Sequence, residues 1–327
     1  MALLNFLTIF LMLIYPLSAK ANSTESSCNP QTNKLELLKA LLNLPHSTES
    51  YVPVMFRESF GGNRPLTEMK FYQNREVKIS EKNYNRFRER ILYGSYLEES
   101  IPRLIHIIWL GSQPPPSVIF CIESWKKYHP TWEVKVWGDE DIKNFSWTTP
   151  YSKEVFEKGQ NWAEKSDILR FEILYQFGGI YSDADMICLK SFEDLITNGI
   201  SFFAGYENNH CVPLLQKPLI GSAIIGSKQK HSILRRSMDL SLTVEQAPLI
   251  PQHIRSGPGP LSTACYEALK NGENEDVIIF PPPFFYPLPF TKRFSSCNEI
   301  LSCIRPEALT IHLWEGSYKN KKNNKNF

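Results

Sequence analysis

The chain has 327 residues, of which 42% are hydrophobic, and its charges nearly cancel at a formal net of +2. That length and apolar content suit one sizeable α/β core with an extension, not two large domains. The charge balance argues against nucleic acid or any bulk acidic polymer as a partner.

In chain order, residues 2–15 are almost all apolar and are followed by Pro16, Ser18 and Ala19-Lys20-Ala21. An apolar run closing on small residues reads as a secretory signal over residues 1–21, and hence as export. The alternative is an anchor holding the protein at the membrane of the Golgi or another secretory compartment, though ~14 clean apolar residues are short for a bilayer. Residues 22–100 read as a small, mainly helical or irregular extension, with Leu35, Leu38, Leu41 and Leu42 at helical spacing. The seven cysteines (Cys28, Cys121, Cys188, Cys211, Cys265, Cys297 and Cys303) contain no C-x-x-C pair, which argues against a zinc or dithiol site. Asn22-Ser23-Thr24 and Asn144-Phe145-Ser146 fit the N-glycosylation acceptor pattern.

The pattern changes at Ile101-Pro102. Leu104–Trp109 predicts a buried strand. Val118, Ile122, Trp125 and Tyr128 predict a helix, and Trp132–Trp137 alternates like a second strand. Strand, helix and strand in quick succession mark a βαβ unit and a mostly parallel sheet. Trp162–Phe177 predicts a helix stopped by Gly178-Gly179, with Ile180-Tyr181 entering a short strand that runs into Asp183. Ser201–Tyr206, Leu219–Ile225, Val277–Phe280 and Thr310–Trp314 predict further strands, and Gly257–Pro260 and Pro281–Pro289 predict rigid loops. Lys319, Lys321, Lys322 and Lys325 make a basic tail over residues 319–327.

The chemistry gathers around Asp183-Ala184-Asp185. In an extended strand, residues two apart face one side, so both carboxylates can meet one hard divalent ion, Mn²⁺ or Mg²⁺. Such an ion can bridge a diphosphate and offset charge on a leaving group. Two solvated loop acids are the plainer alternative. Asp167 and Arg170 lie three apart on the preceding helix. They are either a surface ion pair or an acceptor and a donor fork for sugar hydroxyls.

Ser166–Leu174 followed by Gly178–Asp185 resembles the D-x-D sugar-binding region of the Och1-like glycosyltransferases, whose core pattern the clostridial glucosylating toxins share. Ile101–Gly111, Ser124–Pro130 with Trp132, and Ile311–Tyr318 are similar to that family's other blocks, so the resemblance runs over residues 101–318. It implies a GT-A type fold, Rossmann-like, with a mostly parallel sheet flanked by helices. It also implies metal-dependent, retaining transfer of a hexose or N-acetylhexosamine from a UDP- or GDP-linked donor to a glycan or protein acceptor. By the same resemblance Asp183 and Asp185 hold metal and diphosphate, and Asp167, Arg170 and Tyr181 line the donor sugar. Trp109 stacks on the base, or else packs in the core. His312 is a third metal or phosphate ligand, or a satisfied core histidine. Ser317 and Tyr318 reach the nucleotide, with Tyr318 standing where the family usually has Trp. Ser222 stands where relatives often have Asn. Glu207, following the strand to Tyr206, is the candidate catalytic carboxylate or nucleophile, its alternative being a surface acid. His106 is assigned to the fold alone.

Three other readings compete. A haloacid-dehalogenase phosphatase also has a strand ending in D-x-D, but Ile187 stands where that fold wants Thr or Val, and the needed Lys has no place. A non-catalytic sugar-binding module does not require the metal constellation. A nucleotide-sugar hydrolase needs only water in place of the acceptor.

Overall fold

A computed structural model describes residues 37–38, 40–41, 54–56, 74–93, 98–212, 217–271 and 276–315. The apolar run at 1–21, the basic tail, Ser317 and Tyr318 lie outside the described residues.

Short apolar runs and one alternating stretch, Glu133–Trp137, become the strands. The strands are β1 (Leu104–Ile108), β2 (Glu133–Trp137), β3 (Gly179–Ser182), β4 (Met186–Cys188), β5 (Phe202–Val212), β6 (Lys217–Ser227), β7 (Val277–Phe280) and β8 (Thr310–His312). Six of them form one sheet in the order β2-β1-β3-β6-β5-β7, while β4 and β8 pair separately. The β1–β2, β1–β3 and β5–β7 contacts are parallel, and β6 is antiparallel to both its neighbours. β3 and β7 are buried along their whole length. This is the expected α/β class, a sheet with three of its five strand contacts parallel and the D-x-D following β3.

The helix Trp162–Phe177 sets the position of β3. Asn161 caps it, accepting from Glu164 N–H at 2.9 Å, and Ile168, Leu169, Phe171, Ile173 and Leu174 are buried. Gly178 (φ +65°) and Gly179 (φ +94°) turn the chain into β3. A Cβ on Gly179 would fall 2.4 Å from the Leu104 carbonyl oxygen, so β1 and β3 pair closely there only because the residue is glycine. His106 joins the parts: Nε2–H donates to Gly178 O at 2.8 Å, and Nδ1 accepts from Trp137 Nε1–H at 3.1 Å. Its role in the fold is as expected.

Several local expectations differ. Gly257–Pro260 is no loop, because Pro258 opens the helix Pro258–Asn271, where a first-turn proline has no hydrogen bond to lose. Pro281–Pro289 contains a short helix, Pro282–Phe285. The strand expected to stop at Tyr206 continues to Val212, pairing with β6. The last strand ends at His312, two residues before Trp314 takes φ +56°. The helix Arg75–Tyr93 does not stand off from the sheet. It places Val77, Tyr84 and Phe87 in the main core, and Asn83 Nδ2 donates to Val277 O at 3.1 Å. Leu37, Leu38 and Leu41 pack beside the β4–β8 pair with Ile187, Ile311 and Leu313. Each such leucine contributes about 1.5–3 kcal/mol by burial. No described helix is long and apolar enough to cross a membrane.

Burial pushes the buried imidazoles of His106, His129 and His231 down to about 4, although backbone or acidic neighbours pull His106 and His129 the other way. All three rings are neutral when folded and accept from N–H donors: Trp137 Nε1–H for His106, Phe192 N–H for His129 and Ile233 N–H for His231. Below the ordinary histidine value of about 6.5 the unfolded chain takes up protons that the folded chain cannot. Their stabilisation is therefore complete above about pH 6.5 and is lost as pH falls towards about 4. Melting temperatures from pH 7.5 to 4.5 should fall through that window, and an unchanged melting temperature would contradict the assignment.

Candidate active site

β3 ends at Ser182 and β4 begins at Met186, so Asp183, Ala184 and Asp185 form the turn between them. Met186 N–H closes this turn on Asp183 O at 3.1 Å, and Asp183 N–H donates across to Ala223 O at 2.8 Å. Alternation along a strand predicts the two carboxylates on one side. They do converge, but through this turn and the strand that flanks it.

That strand is β8. Its register pairs Met186 with His312, which sets the imidazole beside Asp185. His312 Nε2 lies 3.1 Å from Asp185 Oδ1, Glu315 N–H donates to Asp185 Oδ2 at 2.9 Å, and Leu313 N–H donates to Asp185 O at 3.1 Å. Burial alone would raise the Asp185 carboxyl, but His312 and the Glu315 N–H outweigh it and hold it below the ordinary range. Burial alone would lower the His312 imidazole, but Asp185 outweighs it and holds it above.

Asp183, Asp185 and His312 each offer a ligand atom, all within 4.8 Å of one another. Opposite ligands of an octahedral Mg²⁺ stand about 4.2 Å apart, so the trio can close on one ion with little movement. His312 Nδ1, shielded from solvent, has no partner, so one ring nitrogen is uncommitted. Two carboxylates and an imidazole suit Mn²⁺, and the carboxylates suit Mg²⁺. The residues fit a divalent ion.

Asp183 is held from its other side. Tyr181 Oη–H donates to Asp183 Oδ1 at 2.6 Å, and Arg170 Nη1 lies 3.1 Å from the same oxygen. Arg170 also reaches Ser222 O at 2.7 Å, Ser222 Oγ at 3.0 Å, Asp167 Oδ1 at 2.8 Å and Ser166 O at 3.2 Å. Its guanidinium lies over the Tyr181 ring, 4.7 Å from the centroid. Asp167 and Arg170 are only 6% and 4% exposed, so they are not a surface ion pair. Burial raises the Asp167 carboxyl, against the pull of Arg170. Tyr181 is buried too, and its phenol is pushed well above the ordinary range by burial. In this arrangement Tyr181 and Arg170 orient Asp183.

Glu207 lies within β5 and is 9% exposed, so it is not a surface acid. Gly205 of β5 pairs with Gly221 of β6. A Cβ on Gly221 would fall 2.4 Å from Tyr286 Oη and 2.9 Å from Glu207 Cγ, so the missing side chain makes room for both groups. Burial, then Glu207 and Asp183, push the Tyr286 phenol well above its ordinary range, and Glu207 is among the acids that raise His312. Trp109, half-buried after β1, packs against the main core and donates its backbone N–H to Trp137 O at 3.0 Å. Its indole N–H is shielded and has no acceptor.

The structure thus links Asp167, Arg170, Tyr181 and Asp183 by direct contact, joins Asp183 to Asp185 and His312, and brings Glu207 into their field. Reading the sequence missed Ser256, Gln252, Tyr286 and Glu315, which meet the site from distant segments. Of these, Glu315 alone lies in a block that the resemblance covers, Ile311–Tyr318.

Fold and site together define an α/β protein with a carboxylate–imidazole cluster, a candidate cation site, beside a parallel strand. Residues 115–201 match the family model described as a glycosyltransferase sugar-binding region containing DXD motif. Inositol phosphoceramide mannosyltransferase 1 of Schizosaccharomyces pombe is 30% identical over 139 residues, 38% of this chain and 42% of the relative. Subversion of eukaryotic traffic protein A of Legionella pneumophila is 29% identical over 126 residues, 30% of this chain and 19% of that protein. The chain spans less than half the length of either relative. The solved PaToxG glycosyltransferase aligns at a TM-score of 0.45 with 19% identity, over 61% of this chain and 82% of its own. The match over residues 115–201 is thus to the DXD sugar-binding region of the glycosyltransferases, the family that the chain's motifs resemble.

Removing one partner from a buried charge network costs about 3–5 kcal/mol. Arg170→Leu strands Asp167 and Asp183, and should lower unfolding stability in urea by that amount. A loss below about 1 kcal/mol would show that Asp167 is not buried with it.

Proposed function

We propose that the protein is a metal-dependent, retaining glycosyltransferase that moves a hexose or N-acetylhexosamine from a UDP- or GDP-linked donor to a glycan or protein acceptor. The observation that carries this reading is the convergence of Asp183, Asp185 and His312 on one ion-sized space, with Asp183 braced by Tyr181 and Arg170. Mn²⁺ or Mg²⁺ bound there supplies Lewis-acid stabilisation of the diphosphate that leaves.

The chain's own groups divide the remaining work. Asp183 presents Oδ2, because Oδ1 is engaged by Tyr181 and Arg170. Asp185 and His312 complete the ligand set. Asp167 receives sugar hydroxyls, with Arg170 and Tyr181 behind it. Trp109 takes the base, with Ser317 and Tyr318 on the nucleotide. In retaining transfer the glycosyl C–O bond breaks towards the diphosphate, which keeps the electron pair. The acceptor oxygen bonds to the same face of the sugar, and its proton passes to the departing diphosphate. Glu207 is the candidate carboxylate on the opposite face, where it can stabilise the cationic sugar or bond to it. The names of the fission yeast relatives make a mannosyl donor an early choice for testing.

A screen of UDP-glucose, UDP-galactose, UDP-N-acetylglucosamine and GDP-mannose with Mn²⁺ should show turnover of one or two donors. EDTA should abolish it, and Asp185→Asn should lower it by at least about a hundred-fold, as expected for loss of a charged ligand. Full turnover in Asp185→Asn would remove the metal assignment. Failure of all four donors to bind saturably would remove the transferase reading.

A further inference from the structure

The second oxygen of Asp167 faces a segment that sequence motifs leave without a role. Ser256 Oγ–H donates to Asp167 Oδ2 at 2.7 Å, and Gln252 Nε2 stands 3.5 Å from the same atom. Gly257 comes next with φ +59°, and a Cβ there would fall 2.5 Å from Asp167 Oδ1. One short segment thus borders both oxygens of a single carboxylate, and only glycine leaves that carboxylate its place.

The same segment is fastened to the helix that carries Asp167. Arg255 is buried and ion-paired with Glu164, one helical turn before Asp167. Asn161, the cap of that helix, donates from Nδ2 to Gln252 Oε1 at 3.2 Å. Ser256 N–H donates to Gln252 O at 2.8 Å, and Leu242 N–H to Arg255 O at 3.0 Å. A buried ion pair adds little net stability over apolar packing, but it fixes where its partners stand. Here it fixes the turn that carries Ser256 and Gly257 against Asp167. These contacts meet the helix at Asn161, Glu164 and Asp167, whereas the metal arm is held by Tyr181, Arg170, His312 and Glu315.

We propose that Gln252–Gly257 is a clamp for the sugar half of the donor. Ser256 and Gln252 are positioning residues that set the direction of the Asp167 carboxylate, and Gly257 is the space in which it stands. This rests on the assignment of Asp167 to the donor sugar. With Oδ1 on Arg170 and Oδ2 on Ser256, the remaining lone pairs of Asp167 point along fixed lines, and sugar hydroxyls must meet them. Loosening the clamp turns those lines and weakens recognition of the sugar, while base and diphosphate are held as before.

The test is isothermal titration of the full chain in Mn²⁺ with UDP-glucose, UDP-galactose, UDP-N-acetylglucosamine and GDP-mannose, using UDP and GDP as sugar-free controls. Ser256→Ala should weaken the sugar nucleotide that the wild type binds by at least about ten-fold, the scale of one hydrogen bond to a charged group. It should leave the matching free nucleotide within about two-fold, and Ser256→Thr should restore the sugar nucleotide. Gly257→Ala should show the same split with a larger loss. Equal weakening of free and sugar nucleotide by Ser256→Ala would reduce the segment to a structural role and overturn the clamp, as would wild-type affinity in that variant. Asp167→Asn separates the two ideas. If it leaves sugar-nucleotide affinity unchanged, the assignment of Asp167 fails, and the clamp with it. If Asp167→Asn weakens that affinity and Ser256→Ala does not, the clamp alone fails. A wild type that binds none of the four overturns the donor reading and the clamp together.

Discussion

A guanidinium taken out of water must find its hydrogen bonds elsewhere, and Arg170 finds them in three parts of the chain. It reaches Ser166 and Asp167 on its own helix, Ser222 on β6 and Asp183 in the turn after β3. Asp167 is buried close to the half-buried Asp183, and two carboxylates so placed repel each other, which adds to the burial that raises Asp167. The guanidinium between them offsets that repulsion, so the helix, the D-x-D turn and the neighbouring strand close around it. Most of the site's precision stems from that arrangement. Arg170 and Tyr181 fix one oxygen of Asp183, which leaves the other for whatever occupies the site.

The sheet makes this arrangement reachable. Gly178 and Gly179 end the helix and admit β3 against β1, so the turn at Asp183 arrives directly behind the strand. β6, antiparallel on the other flank of β3, brings Ser222 to Arg170 and the Gly221 hollow to Tyr286 and Glu207. Neither Gly179 nor Gly221 is interchangeable with alanine. The first avoids a collision with backbone, and the second leaves space for two side chains.

Much of this is legible in the sequence wherever the information is local. The helix Trp162–Phe177 can be read to the residue, because its apolar stripe and its glycine stop lie within one segment. β7 is equally plain, being a short all-apolar run between turn residues. The pairing of Asp167 with Arg170 comes from helical spacing, but its burial does not, because burial depends on Ser222 and Ser256 arriving from 52 and 89 positions away. The Gly257–Pro260 stretch misleads because proline and glycine mark both loops and helix starts, and only the residues downstream of them distinguish the two. The same limit applies to the D-x-D. Strand alternation is the local expectation, but the two carboxylates are brought together by a turn and by a strand whose partner residue lies far along the chain.

That last distance bears on how the protein becomes competent. Asp185 meets His312 across 127 positions, through a two-stranded pairing three residues long. During synthesis the D-x-D turn, its arginine and its helix all emerge long before β8 does. Contacts of such separation form late, because closing a long loop costs entropy before any contact repays it. A nascent chain therefore holds its acidic turn half-assembled until the imidazole emerges, 127 positions later. The β4–β8 pairing thus acts as a completion check, since Asp183, Asp185 and His312 come together only in a chain made at least as far as β8.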